Sequence, residues 1–500
     1  MEMWSLRIVA MAGVLVMSAS VLRAGTLPAA PVVGRVPISD SSYPFGAADH
    51  TRTPQDLRKM GYVEEEYFIS GLANVYDWPA AGPAIVRTPN APYTTRVLIR
   101  RPAKSSRFSG NAVVEMLNPS NRMDLNIGWA ISHEQWVRNG DAWIGVTVKP
   151  ISVVAMKAFN PQRYAPLSWA NPLPSSDPSN CETVAGDSSR STENGLAWDV
   201  FRQVGVWLRS GEISNPFVAG AGRKSSVERV YAWGYSQTGA FLYTYINAIH
   251  PLDVQIHGAP VFDAYLIGVA SNPLPINQCS PRIPPGDPRR ELRNVGVPVI
   301  RIMTQSDFLT GIDARRPDSD SREDGFRNYE IAGSAHATPD ELSFGPAPAD
   351  MTSAGVAVPP MECNEGPRSR FPNSLAFNAA FRNLDQWVRR GTPPPRAEPI
   401  RVDNGKTVLD ESGNAIGGVR SPYVDVPTAQ WTGTSTGASF CFIAGHEKPF
   451  ESARLKQLYP THATYVRAVQ RNVAELVAGR FLTREDGAKL VKEAKAAAIP

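Results

Sequence analysis

Short unbroken apolar blocks alternate with stretches of helical spacing along most of the chain. Val63–Ser70 and Thr94–Arg101 read as early strands, with the Pro-, Gly- and Asn-bearing stretch between them as loop. Asn111–Leu117, Ala142–Val148 and Val227–Trp233 are apolar enough to be strands buried on both faces. Val254–Phe262, Val297–Thr304 and Arg327–Ala332 predict further strands. Helical spacing marks Trp129–Arg138, ended by Asn139-Gly140, and Thr192–Arg209, with Leu196, Val200, Val204 and Leu208 on one face. It also marks Asn373–Arg390, stopped by Gly391 and three prolines, and most of Leu455–Ala498, with turns near Pro460 and Leu482.

Between these elements lie irregular stretches. Thr26–Arg58 reads as surface, Asn272–Pro288 as a Pro-rich insertion, and 398–440 as short strands and turns. Lys149–Arg190 and Ala337–Pro372 are long Pro-rich excursions that leave the carboxyl ends of predicted strands. Strands alternating with helices predict an α/β fold, a mostly parallel central sheet with helices on both faces. Ligands and reactive groups of such sheets gather at the carboxyl ends of the strands. The two excursions are therefore expected to wall the pocket as an ordered cap, with Trp129, Tyr164 and Trp169 as candidate apolar lining.

The chain is organised around Val227–His250, VERVYAWGYSQTGAFLYTYINAIH. A strand runs into Gly234-Tyr235-Ser236-Gln237-Thr238-Gly239, then into a helix expected to close at Pro251. Strand, sharp turn and helix set up a nucleophile elbow, in which Ser236 stands clear of the sheet and faces the positive end of the helix. Thr238 occupies the place of the usual second glycine. The competing reading of Ser236 is a simple helix cap.

A nucleophilic serine needs a base and an orienting acid, each after a later strand. Of the 7 histidines, His336 directly follows a short strand in Gly333-Ser334-Ala335-His336, and His446 is the runner-up. Asp307, in Thr304-Gln305-Ser306-Asp307, follows the strand ending at Thr304; Asp263 and Asp313 are its rivals. The oxyanion donors are expected from the backbone of Gln237 and from the turn after Asn111–Leu117, at Asn118 or its neighbours through Asn121.

Composition adds limits. Lys plus Arg is 51 against 47 acidic residues, and the basic residues are scattered, which argues against a nucleic-acid partner. No cluster has metal-ligand spacing, so no metal or other cofactor is expected. Residues 1–24, with Arg7 before the apolar run Ile8–Leu22, predict a secretory signal, cleaved after Ala24 or Ser20. No later stretch is long and apolar enough to span a membrane. Four cysteines in a secreted or periplasmic protein predict two disulfides with three possible connectivities, of which Cys363–Cys441 with Cys181–Cys279 is the one favoured; the competing reading is buried free thiols. The mature domain is expected to span 25–500, with caps near 149–190 and 337–372 and a C-terminal extension at 398–500.

Several stretches carry a resemblance: VVEMLNPSN, GYSQTG, YEIAGSAHA, NAAFRNLDQWVRRGTPPP, CFIAGHEKPF and LYPTHATYVRAV. With these the chain resembles the large exported α/β-hydrolase-domain proteins of bacteria and fungi. The resemblance implies the α/β-hydrolase fold and a serine hydrolase acting on small-molecule carboxylic esters, with Ser236, His336 and Asp307 in the reacting roles. The same three residues would serve an amidase, peptidase or lactonase, and a binding protein could keep the fold without the chemistry.

Overall fold

The structure is a computed structural model that describes residues 30–182 and 189–499; the expected signal, 1–24, lies outside them. Nine strands build one sheet: β1 (Val32–Val36), β2 (Tyr62–Asp77), β3 (Ile85–Pro102), β4 (Asn111–Met116), β5 (Ala142–Val146), β6 (Arg229–Tyr235), β7 (Ala264–Gly268), β8 (Val299–Thr304) and β9 (Phe326–Ile331). Their order is β1-β2-β3-β5-β4-β6-β7-β8-β9. β1 to β3 and the β3–β5 pair are antiparallel, and every pair from β5 to β9 is parallel. The α/β sheet expected from the sequence is therefore present, with an antiparallel edge.

Helices cover both faces: α1 (Ile127–Asn139), α2 (Pro150–Phe159), α3 (Ala197–Arg209), α4 (Gln237–Thr244), α5 (His250–His257), α6 (Pro339–Ser343), α7 (Pro348–Ser353), α8 (Ser374–Arg390), α9 (Pro422–Asp425), α10 (Ser452–Leu458), α11 (His462–Ala478) and α12 (Arg484–Ala496). The parallel strands are buried on both sides and feed two cores by strict alternation. Val230 and Ala232 of β6 join one core with α3 and α4, whereas Tyr231, Trp233 and Tyr235 join the other with α1 and α8. A third, smaller cluster, with Leu375, Val469, Val473, Leu482 and Leu490, fixes the C-terminal helices against α8.

Four expectations change. The strand expected at Val254–Phe262 is instead the end of a helix, and the strand begins at Ala264. Pro251 does not close the elbow helix. A π-helical turn, Tyr245–Ile249, separates α4 from α5, Pro251 sits in the first turn of α5, where its missing N–H is tolerated, and the helix ends at Gly258 in left-handed conformation. The β2–β3 hairpin runs on to Asp77 and Ile85 through the stretch read as loop, because a bulge at Ala73–Val75 absorbs the extra residues and the Asn90 N–H donates to Asn74 Oδ1 (3.1 Å). The 149–190 excursion opens with a full helix, α2, started by Pro150.

Both excursions are fastened to the body. Arg163 Nε and Tyr164 Oη donate to the two oxygens of buried Glu66 on β2 (2.7 and 2.9 Å). Cysteines pair as expected: Cys181–Cys279 (Cα–Cα 5.2 Å) ties the first excursion to the insertion after β7, and Cys363–Cys441 (5.6 Å) ties the second to the C-terminal extension. The bridges close sequence separations of 98 and 78 residues, so each restricts the unfolded chain strongly. The paired variant Cys363→Ser/Cys441→Ser should lose about 2–4 kcal/mol, read as a lower urea midpoint. An unchanged midpoint would show that the bridge adds nothing to folding.

Candidate active site

β6 ends at Tyr235, and the chain reverses into α4 through Ser236, whose backbone is left-handed at φ 56 and ψ −119. A non-glycine residue there is strained, and the surroundings must hold it. A Cβ on Gly234 would strike the backbone of Thr238, and one on Gly239 would strike the Gly268 carbonyl. Their bare backbones let strand, turn and helix pack against each other. The Ser236 N–H donates to the Gly268 carbonyl of β7 (2.8 Å). Thr238 is explained by its hydroxyl, which accepts from the Tyr235 N–H and donates to the Tyr235 carbonyl (3.1 Å each), locking the turn from inside.

Ser236 stands at the N-cap position of α4, yet its hydroxyl makes no capping bond. It is part-exposed, whereas Tyr235 and Thr238 are buried. The hydroxyl is thus presented outward, above a helix N-terminus whose first N–H, that of Gln237, has no partner within the helix.

The turns after β8 and β9 meet beside the elbow. Asp307 Oδ1 lies 3.0 Å from His336 Nδ1. The other oxygen, Oδ2, accepts from the Thr304 hydroxyl and from Ser306 Oγ (3.0 Å). Ser306 Oγ also accepts from the His336 N–H (2.9 Å), and Gln305 Oε1 from the Gly333 N–H (2.7 Å), which laces the two turns together. Three consecutive carbonyls of the histidine turn are then held by buried side chains: Ala335 by Asn373 Nδ2 (2.7 Å), His336 by Tyr235 Oη (2.8 Å) and Ala337 by Arg368 Nη1 (3.4 Å). The Tyr235 ring also meets the imidazole edge-on, centroids 5.1 Å apart, so the residue before Ser236 fixes the histidine.

Burial works against charge on both partners, but each supplies what the other needs. Burial pulls the His336 imidazole down, and the charge and hydrogen bond of Asp307 more than restore it, leaving it above its ordinary value. Burial pushes Asp307 up, and His336 with the Thr304 and Ser306 hydroxyls brings it below the usual carboxylate range. Glu341 of α6 adds a second negative charge near His336.

The rival residues Asp263 and His446 make other bonds. Asp263 precedes β7, at the opposite end of the sheet, and is bonded to Arg209 and to the Val230 N–H (2.6 and 2.7 Å). Its candidacy rested on the misplaced strand. Asp313 lies in a short 3₁₀ turn beyond Asp307. His446 sits on a two-stranded ribbon, Ala429–Thr432 with His446–Pro449, near Ser435 Oγ and the Thr434 carbonyl (3.1 Å each). Trp129, Tyr164 and Trp169, expected as apolar lining, are all core residues at 2% exposure or less.

Asn118 is used differently from the expectation. Its N–H already donates to the Leu125 carbonyl (2.9 Å), and its side-chain amide donates to the Tyr235 carbonyl (2.7 Å). A donor committed to such bonds is not free for a developing oxyanion; Asn118 instead fastens this turn to the elbow. Ser120 spans the gap, its hydroxyl 3.2 Å from Gln237 Oε1. The 337–372 excursion lies against the same turn, through Asn121 Nδ2 to the Ala357 carbonyl (3.1 Å) and Asn126 Nδ2 to the Phe344 carbonyl (3.0 Å). Sequence reasoning missed Tyr235, Ser306, Asn373 and Arg368. Only Tyr235 and Ser306 carried a signal, their adjacency to Ser236 and Asp307.

Among the described residues there is no group of His, Cys, Asp and Glu that could hold a metal ion, and no helix long and apolar enough to cross a membrane. The profile of a family described as alpha/beta hydrolase domain matches residues 30–492. No curated protein matches the chain. Solved structures it is similar to include an arylesterase, 12% identical, covering 53% of this chain and 79% of that one, with a TM-score of 0.28. Another is a thermostable esterase from Pseudomonas putida, 10% identical, covering 58% of this chain and 79% of that one, with a TM-score of 0.29.

The lock inside the elbow is testable on its own. Thr238→Val keeps the shape and removes both hydroxyl bonds, so urea unfolding should show a loss of about 1–3 kcal/mol. A stability equal to that of the unaltered protein would mean the turn is held without Thr238.

Proposed function

Because the chain belongs to the alpha/beta hydrolase domain family, we propose that it is an exported serine hydrolase that cleaves carboxylic esters through an acyl-enzyme. The observation that carries this reading is the strained, part-exposed Ser236, whose chain neighbour Tyr235 holds the histidine of a hydrogen-bonded Asp307–His336 pair. Ser236 is the nucleophile. His336 Nε2 takes its proton and returns it to the leaving alcohol, then repeats the cycle with water. Asp307, bonded at Nδ1, holds the imidazole in the tautomer that leaves Nε2 free and stabilises its charged form.

The developing oxyanion needs fixed donors. One is the Gln237 N–H at the start of α4. In the turn after β4, the Asn118 and Ser120 N–H groups are already bonded and Pro119 has none, so Asn121 supplies the second. The excursions 149–190 and 337–372 act as caps over the site, and their disulfides suit an oxidising compartment outside the cytoplasm.

The test is labelling with a fluorophosphonate, peptide mapping, and a panel of matched esters and amides. Ser236→Ala should lose labelling and about four or more orders of magnitude in kcat, with folding retained. Labelling that persists in that variant would sink the assignment. Cleavage of amides at rates matching the esters would move the reaction to the amidase class.

The pH dependence has a definite sign. The base must be neutral, so kcat/KM falls as pH drops through the His336 pKa, which Asp307 holds above about 6.5. Asp307→Asn removes that support. It should cost about 10⁴-fold in kcat and move the acid limb to lower pH. A limb that stays in place would assign it to another group.

A further inference from the structure

The ribbon of Ala429–Thr432 with His446–Pro449 closes through residues 433–445, and this closure seats on the turns that carry Asp307 and His336. Gly433 lies where the two turns meet. A Cβ there would stand 2.7 Å from the Ser306 nitrogen and 3.1 Å from the Ser334 oxygen, backbone atoms that cannot swing aside. Gly445 approaches the histidine turn as closely, since a Cβ on it would stand 2.8 Å from the Ala335 Cβ. Between these glycines the chain adds a direct bond. The Ile443 carbonyl accepts from the Ala337 N–H (3.0 Å), one residue beyond His336.

The far side of the closure is fixed as well. Ile443 ends the 3₁₀ turn Ser439–Ile443, whose buried Cys441 is bonded to Cys363. The Ser369 N–H donates to the Ala444 and Gly445 carbonyls (3.2 and 3.1 Å), and the neighbouring Arg368 reaches the Ala337 carbonyl (3.4 Å). Ala337 is thus held at its N–H by the closure and at its carbonyl by the segment that the disulfide joins to it. Ser306 Oγ bonds both the Asp307 carboxylate (3.0 Å) and the His336 N–H (2.9 Å), so a displacement of the Ser306 backbone reaches acid and base together. A shift of about 1 Å between reacting groups can cost about 100-fold in rate.

We propose that Gly433 and the disulfide-bonded loop Cys441–Gly445 form a positioning element of the hydrolytic centre, which sets the Asp307 turn against the His336 turn. This rests on the serine-hydrolase reading above and deepens it. These residues act through the Asp307–His336 hydrogen bond and not on the substrate.

The experiment uses Gly433→Ala, which adds one methyl where the turns meet. Active sites are counted by fluorophosphonate titration, so misfolded protein drops out. On p-nitrophenyl butyrate, kcat per labelled site should fall at least about tenfold while KM stays within about twofold. The low-field proton resonance of the hydrogen-bonded imidazole Nδ1–H should shift or broaden away. Leu490→Ala, which opens the separate cluster of α11 and α12, controls for stability alone: it should lower the urea midpoint and leave kcat per site and the resonance unchanged. If Gly433→Ala does not fold, Cys363→Ser/Cys441→Ser, which frees the loop, decides on the same readouts. An unchanged kcat per site or an unchanged resonance would overturn the proposal, as would an equal loss in Leu490→Ala. Failure of the underlying reading looks different: the unaltered protein takes no label on Ser236 and cleaves no ester.

Discussion

The site depends on one backbone conformation, the left-handed turn at Ser236. Its strain is sustained because the strand, the turn and the next strand are bonded to each other at atoms no side chain obstructs. Gly234 and Gly239 clear the space, and Thr238 supplies hydrogen bonds that a glycine could not. The departure from the commoner motif is therefore a different way of holding the same angle.

From that turn the order of the sheet does the rest. β6, β8 and β9 run parallel, so the residues following them emerge on one edge. The loops there are bonded to one another more than to solvent. Ser306 joins the acid turn to the histidine turn, Tyr235 joins the elbow to the histidine turn, and Asn118 joins the β4 turn to the elbow. The opposed shifts of Asp307 and His336 follow from this closeness in a buried setting, where each charge is stabilised mainly by the other.

The sheet class and the elbow were legible in the sequence because local signals coincide with tertiary ones there, whereas the even cysteine count suggested two disulfides and no local signal chose their pairing. Gly234 and Gly239 flank the serine on a buried strand and a helix, and Asp307 and His336 each end an apolar block. The run Val254–Phe262 misled because Val254 and Ile256 favour strands intrinsically, whereas the π turn before them lets the helix pass Pro251 and continue. That one error also made Asp263 look like a site residue. Asn118 shows a different limit: its place in the turn was readable, but its hydrogen-bond partners, Leu125 and Tyr235, were not. Arg368, Asn373 and Glu341 reach the site only through packing, and no spacing in the chain announces them.

The histidine turn also has a property that comes from where its restraints originate. Its three carbonyls are gripped by Tyr235 from the central strand, Asn373 from the start of α8 and Arg368 from the second excursion. Arg368 and Asn373 belong to one continuous segment that leads into α8, whereas Tyr235 comes from a distant part of the chain. The histidine turn is therefore clamped between the central strand and the segment that leads into α8, so movement of either is resisted by the other. Because Tyr235 directly precedes Ser236, such a clamp ties the place of the imidazole to the strand that carries the serine, and the two move as one body.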